Sequence, residues 1–429
     1  MLIFGGHSLR TKKIHQRRRH RAIFSGQGVM GMKAKRATHK RIAAMAGTLI
    51  LLLLSLVLQR SANGHRQGVP QSSSEATVVQ KDLLYVAVPG RSNDIHYGGV
   101  GVLVFDAKRD YEFVKRIPTW DYPASQDPEN VKGVAASAVT GLLYVSTTAR
   151  LAAIDLKTDK MVWEQTYDGH CCDRMAVAPD GKVLYVPALE GQYWYVVDAL
   201  TGKMIKKVET PEIIGSHNTI FSLDGSRVFL TGWHTNVMDI VDAKTNTIVK
   251  AIKFGNIVRP FTITGTADRV FANVDDLLGF EVADLRTGQV ISRVEVPGFG
   301  WSKERIKHHR CPSHGIALSP DEKEVWLADG VNGFVHVFDA TTMPPKLVKS
   351  ISTRDYPYWI TFGIDGKFVY PSSGDVIEAA TKQVVAGLKD EIGRKVESEK
   401  LLEVLFAGGK PIRVVDQFGV GMVTTAAAN

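Results

Sequence analysis

A unit of about 40 residues recurs along this chain, and no other feature narrows the choice of fold so far. Its clearest copies are "MAVAPDGKVLYVPALEGQYWYVVDALTGKMIKKV", "TIFSLDGSRVFLTGWHTNVMDIVDAKTNTIVKAI" and "IALSPDEKEVWLADGVNGFVHVFDATTMPPKLVKSI". Each holds four apolar or alternating runs between turn residues, the pattern of four short strands. "PDG" and "LDG" supply Asp and Gly where a tight hairpin needs positive φ, and the Asp of "DAxTG" is placed to cap the next turn. Between these turns, "LYV", "VFL" and "VWL" are buried strand formers.

The middle residue of that second strand recurs as Tyr85, Tyr144, Tyr185, Phe229, Phe271, Trp326 and Tyr370, seven anchors in all. Four strands repeated seven times with no helix between copies predict an all-β, seven-bladed propeller of four-stranded blades, closed radially so that only short edges remain. Longer gaps before Tyr144 and Trp326 read as loop insertions. After Lys389, "DEIGRKVESEK" reads as a short exposed helix and "LLEVLFAGGKPIRVVDQF" as a hairpin turning at Gly408 and Gly409. Pro411 to Val415 is expected to help close the ring.

The runs "SPDxxxxWLAD", "APDGKxLYVP" and "DALTGK" resemble the YVTN-type β-propeller repeat of bacterial proteins, and the likeness covers residues 80 to about 388. That resemblance implies an extracytoplasmic seven-bladed propeller. The Gly-His and Trp-Asp pairs of a WD40 array are missing. Propellers of this kind serve unrelated ends, so function has to come from the site.

The formal net charge of +9 is unevenly placed. Residues 1–66 hold 14 Lys and Arg and no acid, leaving 39 basic against 44 acidic residues beyond them. Residues 67–429 therefore lack the broad positive field that nucleic-acid binding requires, and nucleic acid is not an expected partner. Residues 1–41 form a basic cytoplasmic segment or a mis-assigned N-terminus, since Met32 opens a second n-region of ordinary length and residues 1–31 would then precede the true start. Residues 42–58, "IAAMAGTLILLLLSLVL", are an apolar run near the lower limit for crossing a bilayer, read as a signal peptide or a signal anchor. Residues 59–79 are a linker, with small Ala62 and Gly64 suiting cleavage. The propeller spans 80–429, exported and either tethered to the membrane or released.

In a four-stranded blade the loops joining strand two to strand three, and strand four to the next blade, share one face, here named upper; the PDG and DAxTG turns lie on the lower. Eight histidines follow residue 80, and all but His336 fall in or beside upper loops: His96, His170, His217, His234, His308, His309 and His314. Functional residues concentrate on loops held by a rigid scaffold. Twelve positions before each anchor, where the innermost strand begins at the channel mouth, stand Lys132, Asp173, His217, Arg259, His314 and Tyr358. Neighbouring positions add His170, Cys171, Cys172, Arg174, Glu190, His234, Asp275, Asp276, His308, His309 and Asp329.

Three functions fit this polar mouth. The leading one is capture of a small ligand or protein partner by Lys132, Asp173, Arg174, His217, Arg259, His314 and Tyr358. A second is metal-dependent or acid–base hydrolase or lyase chemistry, with His217, His314 and Asp173 holding a divalent transition metal, or with His and Asp working on a substrate anchored by Lys132, Arg174 and Arg259. The third is an inert interaction scaffold, in which His217 and His314 only tie loops to neighbouring blades. Of the three cysteines at least one stays unpaired within the monomer, and a structural disulfide or buried thiols are expected. Trp163, in a run resembling the tryptophan-docking repeat of quinoprotein propellers, is expected to pack between blades, and "GRSNDIHYGGVGVLVFD" to form an upper hairpin loop. No HExxH, GxSxG, CxxC or Walker pattern occurs.

Overall fold

A computed structural model describes residues 80–123, 125–168 and 171–424. The expectations for residues 1–79 and for His170 lie outside these. Seven antiparallel sheets follow one another along the chain, and the only helical turn among the described residues is the 3₁₀ segment Lys303–Arg305. The fourth blade is representative: Ser216–Phe221, Arg227–Gly232, Val237–Asp242 and Thr247–Lys253 pair in sequence order from the channel outward. The first three strands are almost wholly buried, while the outermost exposes most of its residues.

All seven anchors are buried on the second strand of their blades. The apolar core is divided into seven clusters, each shared by two neighbouring blades. Tyr370 of the last blade thus packs with Leu84 and Phe105 of the first, which closes the circle. The core is a ring of interfaces, and no blade buries its apolar faces alone.

Turn chemistry repeats as the sequence implied. Asp198 Oδ1 accepts from the amides of Leu200 and Thr201 and from the Thr201 hydroxyl, and Asp242 does the same for Lys244 and Thr245. Gly225 takes φ +69° in the "LDG" turn, and in "PDEK" Glu322 occupies the equivalent conformation at φ +60°. Trp163 packs on the next blade as expected: a Cβ at Gly202 would lie 2.6 Å from its ring.

The C-terminal region departs from expectation. Ring closure is made by Leu401–Ala407, which forms the innermost strand of the first blade by pairing with Gln80–Val88. Lys410–Val414 adds a fifth strand beyond it, so the Pro411–Val415 stretch lines the channel instead of completing a blade. Residues 390–400 form no helix; they are a loop whose last residues, Glu397 to Lys400, are buried. Their alternating charges suggest a solvated helix only while their partners on other blades are out of view.

Past Val415 the chain enters the lower channel. The Gln417 side chain binds the Val134 amide at 3.3 Å and the Met175 carbonyl at 3.1 Å, while its own carbonyl accepts from Trp359 Nε1 at 2.7 Å and the Thr361 hydroxyl at 2.9 Å. The Gly419 carbonyl accepts from the Thr262 hydroxyl at 2.7 Å, and Phe418 packs edge-on against Trp359. The tail therefore joins inner strands of the second, third, fifth and seventh blades and plugs the channel from below.

Candidate functional site

In every blade the anchor pairs with an inner-strand residue three positions after the expected mouth residue, for example Tyr185 with Ala176 beyond Asp173 and Tyr370 with Thr361 beyond Tyr358. Six of the mouth positions are those named from the sequence. In the first blade Tyr85 pairs with Leu402, and the same offset lands on Glu399. The ring is thus Glu399, Lys132, Asp173, His217, Arg259, His314 and Tyr358. Glu399 escaped sequence reasoning because its strand comes from the far end of the chain. The offset would have found it had that strand been placed.

One half of the mouth is a connected buried network. His217 Nδ1 donates to Asp173 Oδ2 at 2.5 Å, and Trp233 Nε1 donates to the same oxygen at 3.3 Å. Burial drives the His217 pKa down to about 3 against the pull of Asp173, so the ring is neutral at pH 7 and its Nε2 accepts from Arg174 Nη1 at 3.2 Å. Burial opposes ionisation of Asp173 too, yet its carboxyl is held below the ordinary range. With His217 neutral, the charges that keep it ionised are Lys132 and Arg174, helped by the two donated hydrogen bonds.

Arg174 carries the network to the other half. Its Nη2 donates to Glu399 Oε2 at 2.5 Å, and its guanidinium lies 4.2 Å over the Trp359 ring. Lys400 Nζ donates to the same Oε2 at 3.0 Å and to the Gly90 carbonyl at 2.9 Å. Burial pushes the Lys400 ammonium down to about 7 despite Glu399 beside it. Glu399 Oε1 faces away from both cations and accepts from His309 Nε2 at 2.5 Å. His309 and His314 stack with ring centroids 3.9 Å apart, and His314 Nδ1 donates to the Tyr358 carbonyl at 2.9 Å.

The trio His217, His314 and Asp173 is divided in this arrangement. His217 and Asp173 pair with each other and with Arg174, while His314 turns to His309. Among the described residues, the side chains that bring three ligand atoms within 4.8 Å of one another are His309, His314 and Glu399. Arg259 is locked to Asp275 through two hydrogen bonds. Other candidates stand apart: Glu190 faces His234 at 3.5 Å, Asp276 faces Lys303 at 3.4 Å, and Asp329 holds buried His336 within the sixth blade. Cys171 and Cys172 are bonded to each other, and Cys311 is a buried free thiol whose pKa burial raises.

Above the network opens a pocket of about 370 Å³, lined by Lys132, Arg174, Arg259, Arg310 and Lys400, by Glu190 and Glu399, and by the faces of Trp233 and Leu189. Five cationic side chains thus meet two carboxylates around one cavity. Fold and mouth together define a seven-bladed β-propeller with a charged cavity at one end of a plugged channel. No protein-family model matches the chain, and no curated protein matches it. Among solved structures it is similar to Kuenenia stuttgartiensis hydrazine synthase, at 18% identity and a TM-score of 0.50, over 60% of this chain and 80% of that one. At that identity the likeness is one of fold.

Proposed function

We propose that this protein binds a small anionic ligand, a carboxylate or similar acid with a flat or apolar body, in the upper mouth of the propeller. The observation that carries this reading is the excess of cations around a cavity that already contains an aromatic wall. Lys132 stands 5.2 Å over the Trp233 ring, and it and Arg310 are the two cations lining the cavity that make no ion pair among the described residues. Arg174 is held by Glu399 and His217, and Arg259 by Asp275, so a ligand would meet side chains already ordered. Export of the chain through residues 42–58, with the YVTN-type character of its repeats, belongs to the same proposal and would place the site outside the cytoplasm.

Calorimetric titration of a panel of small mono- and dicarboxylates, phosphate and sulfate at low salt tests it. One ligand per chain, bound about tenfold more weakly by Lys132→Gln and weakened by salt, is the expected result. A panel in which nothing binds would end the reading. For export, a phosphatase fused after residue 79 should become active in the extracytoplasmic space, and an inactive fusion retained inside the cell would remove that part.

A further inference from the structure

The floor of the mouth contains an arrangement that anion capture does not use. His314 is wholly buried, its Nδ1–H is spent on the Tyr358 carbonyl, and its Nε2 has no hydrogen-bond partner. A buried imidazole nitrogen left unpaired is unfavourable unless something occupies it. His314 also belongs, with His309 and Glu399, to a cluster whose ligand atoms lie within 4.8 Å of one another. We propose that His309, His314 and Glu399 form a binding site for a divalent transition metal of the zinc, cobalt, nickel or copper kind.

Two imidazoles and one carboxylate are a donor set of open metal sites, which keep a further position for water or ligand. The surroundings fit as well. The Tyr358 carbonyl fixes the tautomer that leaves Nε2 of His314 with the lone pair, as outer partners of metal-bound histidines do. Arg174 and Lys400 both bind Glu399 through Oε2, leaving Oε1 for an ion. His309 Nε2, which donates to Oε1, offers its lone pair after a change of tautomer and a turn of its ring out of the stack with His314. His309 is the half-buried member and lines the cavity, so the open position faces the pocket. The neighbouring cations disfavour hard, oxygen-seeking Ca²⁺ or Mg²⁺ and favour ions that imidazole binds strongly.

The site differs from the sequence-stated trio in two of three ligands and does not rest on the anion reading. Its test uses the full chain, made without a metal-binding tag, stripped by chelator and titrated with cobalt chloride in buffer free of carboxylate and phosphate, then challenged with zinc chloride. Expected are one Co²⁺ per chain, visible d–d absorption, and its loss on zinc addition. His309→Ala, or His309→Asn if the alanine variant does not fold by circular dichroism, should weaken uptake by more than the roughly 10–100-fold that removal of an outer partner costs. His96→Ala, at an exposed histidine paired with Asp94, should leave uptake unchanged. No stoichiometric uptake by the unaltered chain, or full uptake by a folded His309 variant, overturns the proposal. Neither outcome touches anion binding, which is measured without metal.

Discussion

The two ends of the channel are built from the same repeat and finish in opposite chemistry. At the upper mouth the inner strands begin with Lys, Asp, His, Arg and Glu; Asp173 with His217 and Arg174 with Glu399 are buried pairs drawn from different blades, while Arg259 pairs with Asp275 of its own blade. At the lower mouth the short 1–2 turns surround a largely apolar pocket of about 290 Å³, and the chain's own residues 413–422 form part of its wall. Trp359 separates the regions: its ring carries Arg174 on one side, while its Nε1 and its edge hold Gln417 and Phe418 of the plug. The lower end spends its polar groups on holding the fold, and the upper end keeps some unspent. Unspent polar groups beside a cavity are the mark of a site.

Cutting the divider gives the largest effect. Trp359→Ala should lower unfolding free energy by about 3–5 kcal/mol and disturb both ends, as read by denaturant melts. If only one end responds, the two regions are less coupled than Trp359 implies. Breaking one side at a time comes next. Glu399→Ala strands Arg174 as a buried charge and should cost about 3–5 kcal/mol, whereas Phe418→Ala removes apolar contact from the plug at a similar cost but leaves anion binding intact. A Phe418→Ala chain that loses the ligand would refute the division of labour.

The ends should also answer pH with opposite sign. Burial depresses His217, so the folded chain binds fewer protons than the unfolded one below the ordinary histidine value of 6.5, and stability falls on acidification toward pH 3. Glu403, near the lower turns, is pushed up by burial and then by the Asp82 carboxyl. Its contribution is fully present below about pH 4.5 and is lost as pH rises from there through neutrality. His217→Gln should therefore flatten the acid limb of the stability profile and Glu403→Gln the alkaline limb, each by at most about 1.4 kcal/mol per pH unit. Identical shifts in both limbs for either variant would deny the separation. The smallest effect on folding belongs to Lys132→Gln, within about 0.5 kcal/mol, even as it weakens the ligand.

Much of the fold is legible because its signals are local. The anchors sit in short runs of buried strand formers such as LYV and VFL, and Asp198 or Asp242 caps a turn two or three residues away. Six of seven mouth positions followed from counting along such units. Glu399 did not, since its strand pairs with one that begins at Gln80, more than 300 residues earlier. The same distance hid the burial of residues 397–400: Arg91 binds Glu397 and Arg174 binds Glu399, and neither partner is near in sequence.

The sequence by itself determined the repeat, the number of blades, and which face would carry histidines, because period and turn chemistry act within a few residues. Tertiary structure alone decided which of those side chains meet. His217 went to Asp173 and Arg174, and His314 to His309 and Glu399, because buried charge and buried imidazole must find partners, and closing the ring determines which blades supply them.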